Sequence, residues 1–90
     1  MKAKVLVVED DHDIAELVRL HLVRAGFETD LVTSGDEVLP RLREARPDLV
    51  VLDVMLPGLS GLEVCRLVRA DAELAAVPIV MVTARVHEED

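Results

Sequence analysis

The sequence predicts an α/β domain, a doubly wound parallel sheet with helices on both faces, and two observations carry that prediction. Short apolar runs alternate with stretches of helical periodicity in the order βαβαβαβ, the pattern of parallel strands joined by helical crossovers. Three of those runs also end in polar residues: Val5 to Val8 in Glu9, Asp10 and Asp11, Leu49 to Leu52 in Asp53, and Ile79 to Val82 in Thr83. The carboxyl ends of neighbouring parallel strands line one crevice, so these residues are predicted to meet there.

The elements follow in order. Lys4 to Val8 reads as a buried strand, and His12 to Ala25 as a helix with Ile14, Leu17, Val18 and Leu22 on one face, ended by Gly26. His21 shares the Leu17 face and reads as a packing residue. Phe27 to Val32 alternates apolar with acidic residues, as a strand with one wet side does, which suggests a sheet edge. Ser34 and Glu37 have capping-box spacing and open a second helix to about Ala45, in which Pro40 should remove a hydrogen bond and kink or shorten the helix. Pro47 marks the exit to a strand from Asp48 to Asp53. Ser60 and Glu63 repeat the capping box and open a third helix to about Ala70, with Leu62, Cys65 and Val68 inward. A loop leads to a fourth strand, Pro78 to Thr83.

Right-handed crossovers, an edge position for the second strand and two fully apolar strands give the strand order 2-1-3-4. The order reverses between the first and third strands, which puts the crevice between Glu9–Asp10 and Asp53. The fourth strand is as apolar as a central one, yet the sequence stops seven residues after Thr83. Strands apolar on both faces are normally internal. The expectation is therefore a fragment of a longer domain that lacks at least one more strand with its helices.

Composition narrows the function. Ninety residues fit one domain near the lower limit for an unaided core. One cysteine excludes an internal disulfide, and no apolar stretch is long enough to span a membrane or act as a signal sequence, so a cytoplasmic protein is the default expectation. A net charge of −8, with one Phe and neither Tyr nor Trp, argues against unaided nucleic-acid binding, which needs clustered cations or stacking platforms.

Carboxylates crowded into one crevice repel, so either a proton or a cation must join them. Mg²⁺ fits, because it prefers oxygen ligands, keeps several waters and pairs with phosphate. Asp53, on a rigid strand end, is then a reasonable nucleophile for phosphoryl chemistry, and the Thr83 hydroxyl could contact a phosphoryl oxygen. Asp11 and Asp13 read instead as helix N-terminal residues favoured by the helix dipole. Cys65 reads as a buried small hydrophobe, and His12 and His87 lack a second ligand at metal spacing.

The stretches VLVVEDD (Val5 to Asp11), DLVVLDVMLPGLSG (Asp48 to Gly61) and PIVMVTAR (Pro78 to Arg85) make the chain resemble the receiver domain of two-component response regulators over its whole length. That resemblance implies a flavodoxin-like fold and places Asp53 as acceptor of a phosphoryl group from a histidine kinase. It also implies Glu9, Asp10, Asp53 and the Met55 backbone carbonyl as Mg²⁺ ligands, and Thr83 as the hydroxyl that engages the phosphoryl group and switches. The MLPG stretch looks most like regulators with a winged-helix DNA-binding output domain. DNA would then be reached only through sequence beyond these residues.

The chain departs from the resemblance after the fourth strand. The fifth strand of the family, with its lysine and switch aromatic, and the α4-β5-α5 face have no counterpart in residues 1–90, which read as a C-terminally truncated receiver domain. Lys2 and Lys4 lie at the wrong end of the first strand to substitute. Phosphoryl transfer depends on charge stabilisation, so the site is expected to react slowly. The open fourth-strand edge predicts a homo-oligomer or a swapped assembly.

Other classes fit less well. A haloacid-dehalogenase phosphatase would carry a second Asp where Met55 stands, and a flavin or dinucleotide site would carry a Gly-rich turn in place of Glu9, Asp10 and Asp11. A receiver-like module that works by protein binding without phosphorylation is the remaining alternative.

Overall fold

The computed structural model describes residues 2–82 of the chain. Thr83 and the charged tail His87 to Asp90 lie outside the described residues. Within them the order is β1 (Lys4–Val8), α1 (His12–Arg24), β2 (Glu28–Val32), a 3₁₀ turn (Gly35–Glu37), α2 (Val38–Ala45), β3 (Leu49–Asp53), α3 (Gly61–Ala70) and β4 (Ile79–Val82). All pairings are parallel and the sheet order is β2-β1-β3-β4, as the sequence predicts. Val8 lies opposite both Val32 and Leu52, and Asp53 lies opposite Val82, so the carboxyl ends of all the strands finish at one level.

Side chains alternate across a strand, and the alternation divides the sheet into two unlike faces. Leu6, Val8, Val50 and Leu52 point to one face and form the main core with Val38 and Leu42 of α2 and Val64 and Val68 of α3. Each fully buried Leu there contributes about 2 kcal/mol through removal of its surface from water. Val5 and Val7 point to the other face, where α1 packs on β1 and β2 and buries Ala15. On that same face Val80 and Val82 of β4 remain 48% and 39% exposed, since α1 does not reach that far across the sheet.

Two helix faces and one helix start differ from expectation. Leu17 is 55% exposed and His21 is also exposed; the inner stripe runs through Ala15, Val18 and Leu22, centred roughly 130° around the helix from Leu17. Hydropathy alone favoured the larger Leu over Ala, but the close approach of helix to sheet selects the small residue. Likewise Leu62 is 64% exposed, while Gly61, Val64 and Val68 form the buried stripe of α3 and Cys65 is half-buried beside it. Ser34 makes no capping hydrogen bond: the chain enters α2 through the 3₁₀ turn, and the helix proper starts at Val38. Pro40 therefore sits in the first turn, where a backbone N–H has no intrahelical partner, and the expected kink has no cause.

Ser60 does cap α3, its Oγ accepting from the Glu63 N–H at 3.2 Å. Arg46 ends α2 in the left-handed region (φ 47, ψ 61), a conformation that crowds any Cβ. Arg46→Gly should stabilise the fold by about 1 kcal/mol, read as a higher urea midpoint at unchanged slope. A lower midpoint would show that the arginine side chain contributes more than its backbone costs.

Candidate functional site

β1 and β3 deliver the acidic residues to the point where the strand order reverses. Glu9 continues the β1 ladder by one residue, its N–H donating to the Val32 carbonyl at 3.0 Å, and this pairing fixes the side chain in a position only 5% exposed. Asp53, the last residue of β3, is 2% exposed. Asp10 sits exposed in the turn that follows. One carboxylate oxygen from each of Glu9, Asp10 and Asp53 lies within 4.8 Å of the other two. The sequence predicts this grouping, and the strand register produces it.

The neighbouring acidic residues have other work. Asp11 Oδ1 accepts from the N–H groups of Asp13 and Ile14 at 3.0 and 3.1 Å, which caps α1, and Asp13 lies in its first turn. The Asp11 N–H donates to Glu9 Oε2 at 3.0 Å, so the cap and the cluster share one hydrogen-bonded turn.

Electrostatics sets what this cluster can hold. Burial, followed by the hydrogen bond and charge of Asp53 and the charge of Asp10, pushes Glu9 up to about 6, against the opposing pull of the Asp11 N–H. Among the described residues no ion pair involves Glu9, Asp10 or Asp53. Oxygen donors of like charge, two of them anchored on strand ends, fit a hard divalent cation. The cluster could hold such a metal.

The β3–α3 loop completes the crevice. Asp53 Oδ1 accepts from the Met55 N–H at 3.2 Å, the Val54 N–H donates to the Val82 carbonyl at 3.0 Å, and the Gly61 N–H returns to the Val54 carbonyl at 2.9 Å. An open depression of about 360 Å³ lies over Asp10, Val54, Met55, Leu56, Pro57 and Ser60. A Cβ on Gly61 would come within 2.8 Å of Val54 Cα and closer still to the Asp53 carbonyl oxygen, so α3 can start against the end of β3 only with a glycine there. Sequence reasoning passed over Gly61. Its signal was a glycine in the first turn of a helix, where it weakens the helix unless close backbone contact requires it.

Fold and site together define a small parallel α/β domain whose switch point is a carboxylate-lined crevice suited to a cation. Residues 5–90 match the response regulator receiver domain, and the chain belongs to that family. It is a flavodoxin-like two-component signalling domain, a switch and not an enzyme in the ordinary sense. All 90 residues align at 47% identity with the DNA-binding response regulator MtrA of Mycobacterium tuberculosis, and they span 38% of that protein's length. Among solved structures, a putative response regulator from Chloroflexus aurantiacus superposes with a TM-score of 0.88 at 36% identity, over 90% of this chain and 66% of that one. The BeF3-activated receiver domain of Klebsiella pneumoniae RstA gives 0.85 at 32% identity, over 94% and 70%.

Proposed function

We propose that this chain is the phosphoacceptor part of a cytoplasmic response regulator, with Asp53 receiving a phosphoryl group from a histidine kinase. The observation that carries the proposal is the meeting of Glu9, Asp10 and Asp53 within 4.8 Å on strand ends from β1 and β3. The Met55 N–H engages Asp53 Oδ1, which leaves Oδ2 as the nucleophile. Oδ2 attacks phosphorus as the bond to the phosphohistidine nitrogen breaks, giving an acyl phosphate on Asp53; a proton on the other ring nitrogen lets the kinase histidine leave as neutral imidazole.

Glu9, Asp10, Asp53 and the Met55 backbone carbonyl would hold Mg²⁺, which when bound supplies positive charge to offset the incoming phosphoryl oxygens. Asp10 is the exposed member of the group and is placed to meet a hydrated ion first. Thr83, next in sequence after the Val82 that pairs with Asp53, is proposed to donate its hydroxyl to the phosphoryl group. The lysines of this chain, Lys2 and Lys4, belong to the other end of β1, where the Lys4 ammonium donates to the Ala45 carbonyl, so they give the phosphoryl group no charge balance. Labelling of these 90 residues should therefore be slow.

No helix among the described residues is long and apolar enough to cross a membrane. The DNA-binding activity named for MtrA would reach this protein through sequence outside these residues. The exposed edge at β4 is proposed to support self-association, which sedimentation would report.

Acetyl phosphate with Mg²⁺ tests the central claim. The chain should acquire one acid-labile, hydroxylamine-sensitive phosphate that a chelator prevents. Absence of label under conditions in which a longer receiver domain is labelled would favour a module that acts by binding alone.

A further inference from the structure

The acidic cluster is supported from a part of the chain that contributes no carboxylate to it. The β3–α3 loop rests on the 3₁₀ turn after β2. The Gly35 N–H donates to the Pro57 carbonyl at 3.4 Å, and a Cβ on Gly35 would stand 2.9 Å from the Leu59 carbonyl carbon and closer still to its oxygen. Those are backbone atoms, which cannot swing aside as a side chain does. At the next position the Asp36 carboxylate lies against Gly58, where an added Cβ would be 2.5 Å from Asp36 Oδ2. The bare Cα of Gly35 thus sets how deep the loop can settle. That loop carries Met55, whose N–H holds Asp53 Oδ1.

We infer that Gly35 is a positioning residue for the Asp53 site, acting through the backbone of Pro57 to Leu59 on the Met55 amide and carbonyl. The inference rests on the phosphoacceptor reading for its consequence, but the physical contact stands apart from it. A methyl group at Gly35 displaces Leu59, the displacement passes along a short, hydrogen-bonded loop, and Met55 shifts relative to Asp53. Groups that orient ligands from behind commonly alter metal affinity tenfold to a hundredfold when changed.

The test compares the wild-type chain with Gly35→Ala and with Gly26→Ala. Gly26 has a φ of +99 and open space around it, so alanine there strains the backbone far from the site without touching the loop. The readouts are the Met55 amide resonance in metal-free protein and a titration with Mg²⁺ alone. Gly35→Ala should move the Met55 resonance and weaken Mg²⁺ binding by about tenfold or more, while Gly26→Ala loses stability but keeps both. An unmoved Met55 resonance in folded Gly35→Ala, or equal loss of affinity in both variants, overturns the inference.

If Gly35→Ala does not fold, Gly58→Ala presses the loop against the same 3₁₀ turn at Asp36, and since its φ of +75 strains the backbone as well, only the part of its effect that depends on Asp36 counts. Its effect on Met55 should be partly relieved by adding Asp36→Ala, which removes the group it strikes; no relief overturns the inference. A wild-type chain that neither binds Mg²⁺ nor accepts phosphate defeats the phosphoacceptor reading instead, and the metal-free Met55 resonance still decides the role of Gly35.

Discussion

Asp53→Asn should abolish phosphorylation of the chain and at the same time make its metal-free fold more stable. Asparagine is nearly isosteric and can still accept from the Met55 N–H through its side-chain oxygen, so the loop keeps its anchor. What disappears is the nucleophile and one of the clustered negative charges. Glu9 then loses a repelling neighbour and ionises more easily, and the relief is a minor part of the roughly 2 kcal/mol that its raised pKa represents, because burial is the larger cause. Unfolding in chelator gives the stability, and hydroxylamine-sensitive label from acetyl phosphate gives the acceptor. Asp11→Asn should keep the label, because Asp11 caps α1. Label retained in Asp53→Asn would move the acceptor elsewhere, and a destabilised metal-free variant would mean that the carboxylate serves the fold.

Metal-free stability should fall as the pH rises from about 4.5 through about 6, the reverse of ordinary acid denaturation. Glu9 is pushed up from 4.5 to about 6 in the folded chain, so the folded state binds its proton more tightly than the unfolded one does. That contribution is fully present below the unfolded value and is lost as pH rises through the folded value, a change on the order of 2 kcal/mol. Glu16, held down by its hydrogen bond from Arg19, and Asp71, held down by the Glu73 N–H and by Arg43, act in the opposite sense. Both are lowered, so their opposing effect lies below the window set by Glu9. Mg²⁺ should reverse the slope there, since a bound cation favours the ionised cluster; at a hundred times its dissociation constant it adds about 2.7 kcal/mol. Unfolding midpoints at pH 4.5, 6 and 7.5, with chelator and with Mg²⁺, check both signs. Glu9→Gln should flatten the metal-free curve; a wild-type curve that climbs steadily with pH would show that Glu9 is ionised in the fold at no cost.

Hydrophobic patterning specifies the sheet. Four apolar runs of strand length, separated by helical periodicity, leave little freedom once crossovers are right-handed, and the order β2-β1-β3-β4 follows with Glu9, Asp10 and Asp53 at its switch point. Strand-end chemistry is legible because a strand has a two-residue period and a definite end, so the residue after an apolar run has a known place. Helix faces were less legible: Leu17 and Leu62 are large and apolar yet exposed, while Ala15 and Gly61 are buried, because the sheet selects by size at close approach and hydropathy does not register size. The start of α2 escaped the capping pattern of Ser34 and Glu37 for a related reason. The turn at Gly35 answers to the backbone of Leu59, distant in sequence, and only the tertiary structure brings the two together. The same holds for the state of Glu9: that three carboxylates meet follows from strand order, but that Glu9 is buried and its carboxyl pushed up to about 6 depends on the ladder bond to Val32 that holds it out of water.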